Sequence, residues 1–156
     1  MMTLDDVSEA AGVGALPWLV KIDTDGSDFE IILGNLDVLS RSAVALYFEY
    51  DPSLSNGASG ASAIAALVRS GFTLFVVFDN FGNFMDIVTE NHAASFEKLE
   101  TYLESCRAGG GGTNYYDVLA MRLIDQDTFD LIAATTVCPN LALDRSLKAS
   151  TVLLEK

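Results

Sequence analysis

Short apolar runs alternate along this chain with amphipathic stretches, and this alternation constrains the fold more than any other feature of the sequence. The apolar runs are nearly continuous and rich in β-branched and aromatic residues, which is typical of strands buried on both faces. They lie at 18–22, 43–51, 72–80 and 115–123, with a shorter one at 84–88. The helical stretches lie at 27–40, 59–71 and 92–107. Strands joined by helical crossovers pair in parallel, so the pattern predicts an α/β domain.

Local signals mark where the predicted helices begin and end. Ser27 followed by Glu30 has the form of a capping box, in which each side chain satisfies the other residue's backbone N–H. Gly71 stands where a glycine commonly ends a helix. The first unit is therefore predicted to be a strand, a tight turn and a capped helix.

Polar residues follow the predicted strands at their carboxyl ends. Right-handed crossovers bring these ends to one edge of the sheet, and open α/β sheets bind ligands along that edge. We therefore expect a candidate site there, with mostly acidic side chains. The residues concerned are Asp23 with Asp25, Glu49 with Asp51, and Asp79 with Asn80.

The charge of the chain limits its partners. Asp and Glu number 22 against 9 Lys and Arg, which gives a net charge of −13. Such a field repels a phosphate backbone and an anionic membrane surface, so neither nucleic acid nor membrane is an expected partner. No apolar run approaches the roughly 20 residues that a bilayer requires. The segment 1–12 lacks the basic start of a signal peptide, so a cytoplasmic location is expected.

Cysteine and histidine offer little for metal or nucleophilic chemistry. Cys106 and Cys138 have no disulfide or metal-ligand spacing, so we expect reduced thiols, with Cys106 buried on a helix. His92 is the one histidine of the chain, and no serine nucleophile accompanies it. We expect His92 to be a solvated residue at a helix start.

The segment IDTDGSDFE allows three kinds of site. A strand ending D-x-D-G-[ST] resembles the first motif of haloacid-dehalogenase-like phosphatases, which implies Asp23 as nucleophile and Asp25 as general acid. That chemistry also requires a hydroxyl residue at the next strand end, where the chain has Glu49. A calcium loop counted from Asp23 requires glycine in the sixth place and glutamate in the twelfth, and these places hold Asp28 and Gly34.

The third interpretation rests on five blocks of sequence that follow one another with fitting gaps from Thr3 to about Leu123. They are TLDDV (3–7), VKIDTDGSDFEIILG (20–34), ALYFEYDP (45–52), LVRSGFTLFVVFDNFGN (67–83) and NYYDVLAM (114–121). The second block resembles the KIDVEG-x-E-x-x-x-L-x-G block of FkbM-type S-adenosylmethionine-dependent methyltransferases. The fourth is similar to that family's L-x-x-x-G-Y-x-x-x-x-x-D-x-x-G stretch, and the fifth to its closing strand.

The resemblance implies a partial Rossmann-like methyltransferase fold, with parallel strands, helical crossovers and an antiparallel closing strand. It implies a methyltransferase domain over 1–135 and S-adenosylmethionine-dependent O-methylation of a hydroxyl on a sugar or other small molecule. From Thr136 the strand and helix pattern fades, so we expect an irregular tail over 136–156. The family's glycine-rich cofactor turn has no counterpart, because the glycines at 12–14 follow no predicted strand. We therefore expect the C-terminal half of such an enzyme, and no cofactor-binding residue is assigned.

Under this interpretation the carboxylates at the strand ends act on the methyl acceptor. Asp23 and Asp25 are the first candidates for positioning its hydroxyl or removing its proton, and Glu49 is the second. Crowding of these carboxylates is expected to raise at least one pKa. No metal site is assigned. The alternative role for Glu49 is to hold a divalent cation together with Asp23. The candidates for substrate binding are Asp51, Asp79 and Asn80.

The strand at 18–22 lacks a neighbour if the first half of such a fold is absent. Its unpaired N–H and C=O groups then form an exposed sheet edge, and we expect self-association or a partner chain to cover it. The competing function is a non-catalytic remnant or interaction module that docks onto a partner.

Overall fold

Five strands form one mixed sheet in the computed structural model of the protein, which describes residues 19–42, 45–54 and 57–122. The order of the strands across the sheet is β1-β2-β5-β3-β4. With helices between the strands, the expected α/β class is confirmed. In chain order the strands are β1 (Leu19–Lys21), β2 (Ala45–Tyr50), β3 (Leu74–Asp79), β4 (Phe84–Val88) and β5 (Tyr116–Met121).

The strand directions place the carboxyl ends of β1, β2 and β3 at one edge of the sheet. β1 pairs with β2 in parallel, with Val20 opposite Leu46. β5 runs antiparallel to both of its neighbours, β2 and β3, so these two run the same way. The last strand is therefore antiparallel, as expected, and it is inserted into the middle of the sheet. β4 is antiparallel to β3 and forms a hairpin with it.

Four helices are described: α1 (Asp28–Gly34), α2 (Leu36–Ser42), α3 (Gly60–Arg69) and α4 (His92–Gly109). The prediction of one helix over 27–40 is wrong, because α1 and α2 meet at Asn35. The Asn35 side chain donates to the Ile31 carbonyl at 2.8 Å, and its backbone N–H bonds the Ile32 carbonyl at 3.2 Å. Gly34 is a weak helix former, and an asparagine side chain competes for backbone partners, so the helix is interrupted here.

The hydrophobic core lies between one face of the sheet and the helices. Along β2, Phe48 and Tyr50 are buried on the helix side, whereas Tyr47 and Glu49 alternate with them and are half-exposed. Tyr50 packs against Phe29 of α1 and Phe96 of α4, with ring centroids 5.2 Å and 5.0 Å apart. Aromatic pairs at such tilted angles add to the stabilisation from burial alone.

The ends of α3 agree with the sequence signals. The Ser59 hydroxyl accepts a hydrogen bond from the Ser62 backbone N–H at 3.1 Å, which caps the first turn. Gly71 follows the last turn with φ +95°, a conformation that favours glycine. Gly71 is thus the helix stop that the sequence predicts.

Two smaller predictions about α4 require correction. His92 does begin the helix, but it is half-buried: its Nε2 donates to the Thr73 carbonyl at 2.9 Å, and its ring meets the Phe75 ring edge-on at 5.2 Å. The packing against β3 replaces the solvent expected around it. Cys106 is a free cysteine on α4, and it is half-buried instead of buried.

Several predictions fall outside the described residues. These are the glycines at 12–14, the block at 3–7, Cys138 and the tail at 136–156. The described residues all belong to one compact unit. Among them, no helix is long and apolar enough to cross a membrane.

Candidate functional site

The edge at which β1, β2 and β3 end carries a group of carboxylates, here called the acidic edge. It consists of Asp23 and Asp25 after β1, Asp28 at the start of α1, Glu49 and Asp51 at the end of β2, and Asp117 at the start of β5. Glu49 lies directly opposite Asp117 in the β2–β5 pairing. The structure thus brings Asp23, Glu49 and Asp51 together, as predicted, and adds Asp28 and Asp117.

Glu49 has the most strongly shifted carboxyl of the acidic edge. Burial of the side chain raises its pKa to about 7, and the negative charges of Asp28, Asp51, Asp23 and Asp117 add to the effect. Both mechanisms favour the neutral form of a carboxyl group. Glu49 therefore changes its protonation state near neutral pH, which is the property required of a general base.

Asp28 fixes the position of the loop between β1 and α1. Its Oδ2 accepts from the Thr24 hydroxyl at 2.8 Å and from the Thr24 N–H at 3.3 Å, and its Oδ1 accepts from the Glu49 N–H at 3.2 Å. The side chain is buried, so these bonds are not exchanged with water. Asp28 therefore ties the loop to β2 next to Glu49.

The turn after β1 has a constrained backbone. Asp25 has φ +48° and Gly26 has φ +106°, which is the left-handed region. A Cβ at Gly26 would lie 2.8 Å from the Leu54 carbonyl oxygen, so only glycine fits there. Asp25 is exposed at the tip of this turn, whereas Asp23 forms an exposed ion pair with Lys21 at 2.9 Å.

The predicted capping box at the start of α1 is wrong. Ser27 occupies the N-cap position, but its side chain makes no capping hydrogen bond. Glu30 instead bonds a different segment, with its Oε1 accepting from the Ala58 N–H at 3.2 Å. Its Oε2 is buried without a partner. Glu30 therefore accepts a hydrogen bond from the segment before α3 in place of the predicted local bond to the Ser27 N–H.

Asp51 closes the turn after β2. Its Oδ1 accepts from the Ser53 N–H at 2.8 Å and hydroxyl at 2.7 Å, and it forms an ion pair with Arg107 at 2.7 Å. Arg107 also donates to the Asn114 carbonyl. Asp51 is buried and joins β2 to the end of α4, so its principal contacts are structural.

Asp79 and Asn80 do not join the other acidic residues. Asp79 accepts from the N–H groups of Phe81 and Asn83 and from the Asn83 amide, which closes the β3–β4 turn. Burial acts to raise the pKa of Asp79, but these hydrogen bonds outweigh it and lower the pKa below its ordinary value. The Asn80 Oδ1 accepts from the Asn114 N–H at 3.1 Å.

The separation of Asp79 from Glu49 has a topological cause. Phe78, just before Asp79, lies opposite Asp117, and Glu49 lies opposite the same residue from the other side. β5 therefore stands between the two strand ends, about 10 Å apart at the usual strand spacing. The three polar groups share one edge of the sheet, as expected, but Asp79 and Asn80 lie one strand further along it because β5 is inserted between β2 and β3.

A second polar group lies on the same face of β2 and β5 as Glu49. Tyr47 shares a hydrogen bond with Asp117, and Lys21 lies over the Tyr47 ring at 5.8 Å. Burial raises the pKa of Tyr47 to about 12, and the Asp117 charge adds to this. Burial also raises the pKa of Asp117, while the bond from Tyr47 opposes the rise. An aspartate inside an apolar strand was the sequence signal that could have indicated this residue.

The acidic edge is shallow. The small cavity between Gly26, Asp28, Phe29, Glu49 and Asp51 has a volume of about 10 Å³, room for about one water molecule. Among the described residues, no group of three or more His, Cys, Asp or Glu side chains has a geometry that could hold a metal ion.

Comparison with known proteins gives no match: no family model, no curated protein and no solved structure is significantly similar to the chain.

Proposed function

We propose that this chain is the acceptor-side half of an S-adenosylmethionine-dependent O-methyltransferase of the FkbM type, with Glu49 as its general base. The observation that carries the proposal is the pKa of about 7 at Glu49, on a strand end surrounded by carboxylates. The order of parallel strands, helical crossovers and an antiparallel last strand agrees with what the sequence resemblance implies.

Glu49 has a defined part in this proposal. In its carboxylate form it accepts the proton of a small-molecule hydroxyl, the O–H bond breaks, and the electron pair remains on the acceptor oxygen. The resulting oxygen is the nucleophile that a methyl donor requires. Asp28 positions Glu49 through the hydrogen bond to its backbone N–H. Asp23 and Asp25, in the loop after β1, are candidates for contacts with the acceptor.

The acidic edge does not fit the methyl donor. S-adenosylmethionine contains an adenosine group, and sites for ligands of that size enclose roughly 300–1,000 Å³. The cavity at the acidic edge measures about 10 Å³. Within 19–42, 45–54 and 57–122 no glycine-rich turn follows a strand in the manner of a nucleotide loop. The donor must therefore be held outside the acidic edge, by other residues of this chain or by another chain.

The base role of Glu49 is tested by single-turnover assays. Full-length protein is mixed with S-adenosylmethionine and a panel of methyl glycosides and simple alcohols, and S-adenosylhomocysteine is measured across pH. We expect product formation to rise with pH through about 7 in the wild type and to fall by about a hundredfold in Glu49→Gln. Glu104→Gln, an exposed glutamate on α4, is the matched control and should retain full activity.

The second candidate is a non-catalytic interaction module, which the shallow acidic edge favours. Calorimetric titration separates it from the first. If millimolar S-adenosylmethionine produces no heat and no acceptor is methylated at any pH, the free-standing enzyme is excluded. The phosphatase interpretation has its own test, since Asp23→Asn should then abolish hydrolysis of p-nitrophenyl phosphate.

A further inference from the structure

A groove between α3 and α4 has a volume of about 720 Å³. Its walls carry alanine side chains, Ala61 and Ala65 on α3 and Ala93 and Ala94 on α4, all of them exposed. No residue of the acidic edge lines it. The groove is therefore a separate feature of the molecule.

The groove is open because its walls are made of small side chains. Methyl groups on facing helices cannot fill the space between them. Its floor is apolar and well packed, since the Tyr50 and Phe96 rings meet there at 5.0 Å. The Tyr50 hydroxyl donates to the Glu100 Oε1 at 2.5 Å, which places one anchored carboxylate at the side of the floor. The surface is thus a rigid apolar cleft with a polar margin.

The polar margin is negatively charged. Glu97 and Glu100 are spaced three residues apart on α4, so they share a face of that helix. The ion pairs found within the described residues are Lys21 with Asp23 and Arg107 with Asp51, so neither glutamate has a described lysine or arginine partner. Tyr50 uses one Glu100 oxygen, and no cation of the described ranges pairs with either carboxylate.

We propose that this groove binds a small apolar molecule that carries one ammonium group. The apolar body lies against the alanines and Ile64, and the ammonium group pairs with Glu97 and Glu100. The volume of about 720 Å³ lies within the range of small-molecule sites. Charge complementarity with Glu97 and Glu100 selects a cation over a neutral or anionic ligand.

The ligand class is tested with three probes that share one apolar body: phenylbutylamine, phenylbutanol and phenylbutyrate. Each is titrated into the full chain, and backbone amide shifts are followed by NMR. We expect the amine to shift the amides of Ala65 and Ala94, with a Kd on the order of 1 mM or below. The alcohol should bind about fivefold more weakly, and the carboxylate more weakly still. Equal binding of amine and carboxylate, or no shift of groove amides by the amine, overturns the proposal.

The site is tested by filling the groove and by removing its charge. Ala65→Trp and Ala94→Trp should abolish amine binding, whereas Ala108→Trp, an exposed position on α4 outside the groove, should leave it unchanged. Because all three alanines are exposed, the substitutions do not disturb the core.

Glu97→Gln should reduce the preference for the amine over the alcohol severalfold without weakening the alcohol, and Glu104→Gln is its matched control. An unchanged preference in Glu97→Gln contradicts the pairing. The result is independent of methyl transfer, since the groove contains none of the residues proposed for it.

Discussion

A single buried carboxylate, that of Asp28, connects the loop after β1 to the backbone of β2. Asp28→Ala leaves the Glu49 N–H and the Thr24 hydroxyl without their acceptor, and an unsatisfied buried group is costly. We expect the free energy of unfolding to fall by about 2–3 kcal/mol, measured by urea denaturation. Asp37→Ala removes an exposed aspartate at the start of α2 and should cost below about 0.5 kcal/mol. Equal losses in the two variants would show that Asp28 has no special role.

Glu49 makes the stability of the fold depend on pH. Between its ordinary pKa of 4.5 and its folded-state pKa of about 7, the folded chain holds a proton that the unfolded chain has released. Glu49 therefore lowers stability as pH rises through that range.

Glu49→Gln removes this penalty. We expect the free energy of unfolding of the variant to exceed that of the wild type by about 1 kcal/mol at pH 8 and to equal it at pH 4. The expected gain at pH 8 is smaller than the pKa shift alone would give, because the carboxyl group is partly exposed to solvent. Thermal denaturation at both pH values measures it. A gain that is the same at pH 4 and pH 8 would mean that the carboxyl titrates normally.

At the residue scale, the sequence predicts the strand-end carboxylates but not their roles. Asp23, Glu49 and Asp51 lie together because each is at or just after the carboxyl end of β1 or β2, and these two strands are parallel neighbours. Asp28 and Asp117 were missed, since the sequence pattern places one within the predicted helix at 27–40 and the other within the predicted strand at 115–123. Asp79 closes a local turn, a role that depends on hydrogen bonds to Asn83 that no spacing pattern specifies.

At the scale of elements, two glycines provide a matched comparison. A Cβ at Gly60, the first residue of α3, would lie 2.4 Å from the Tyr50 hydroxyl oxygen, and nothing lies within 4 Å of a Cβ at Gly34, the last residue of α1. We expect Gly60→Ala to destabilise the fold by about 2–3 kcal/mol through overpacking. Gly34→Ala should stabilise it by about 0.5 kcal/mol through helix propensity. Chemical denaturation measures both, and a neutral Gly60→Ala would show that Tyr50 is free to move.

The elements themselves are largely predictable, and the exceptions have physical causes. The strand at 84–88 and the start of α4 at His92 coincide with their sequence patterns. The sequence pattern does not predict the helix interruption at Asn35 or the hydrogen bond from the Ala58 N–H to Glu30. Each depends on a competition between local and distant hydrogen-bond partners. Apolar periodicity carries no information about that competition.

At the scale of the whole molecule, β1 is a short outer strand. Within the described residues it pairs only with β2, and Leu19 is 50% exposed on it. We expect the chain to self-associate as concentration rises, and Leu19→Lys to reduce this, since a charge on an outer strand opposes edge pairing. Light scattering over a dilution series measures both. A well-dispersed monomer at high concentration would contradict the expectation.

The order of the strands in the sheet was the part of the architecture that the sequence left open. Alternating strand and helix patterns specify the class and the crossovers, but they do not say which strands are neighbours. β5 separates β2 from β3, and this is why Asp79 lies at the same edge as Glu49 but not beside it. The pairing depends on contacts between residues that are far apart in the chain.

The central position of β5 also determines when the sheet can form. β1 pairs with β2 and β3 with β4, but β2 and β3 have no strand pairing with each other until Tyr116–Met121 lies between them. During synthesis, both half-sheets therefore have unpaired inner edges until β5 has left the ribosome. Such late, long-range closure slows folding and exposes unpaired strands to other chains. The nascent chain is most vulnerable to aggregation in the interval before residue 121 emerges.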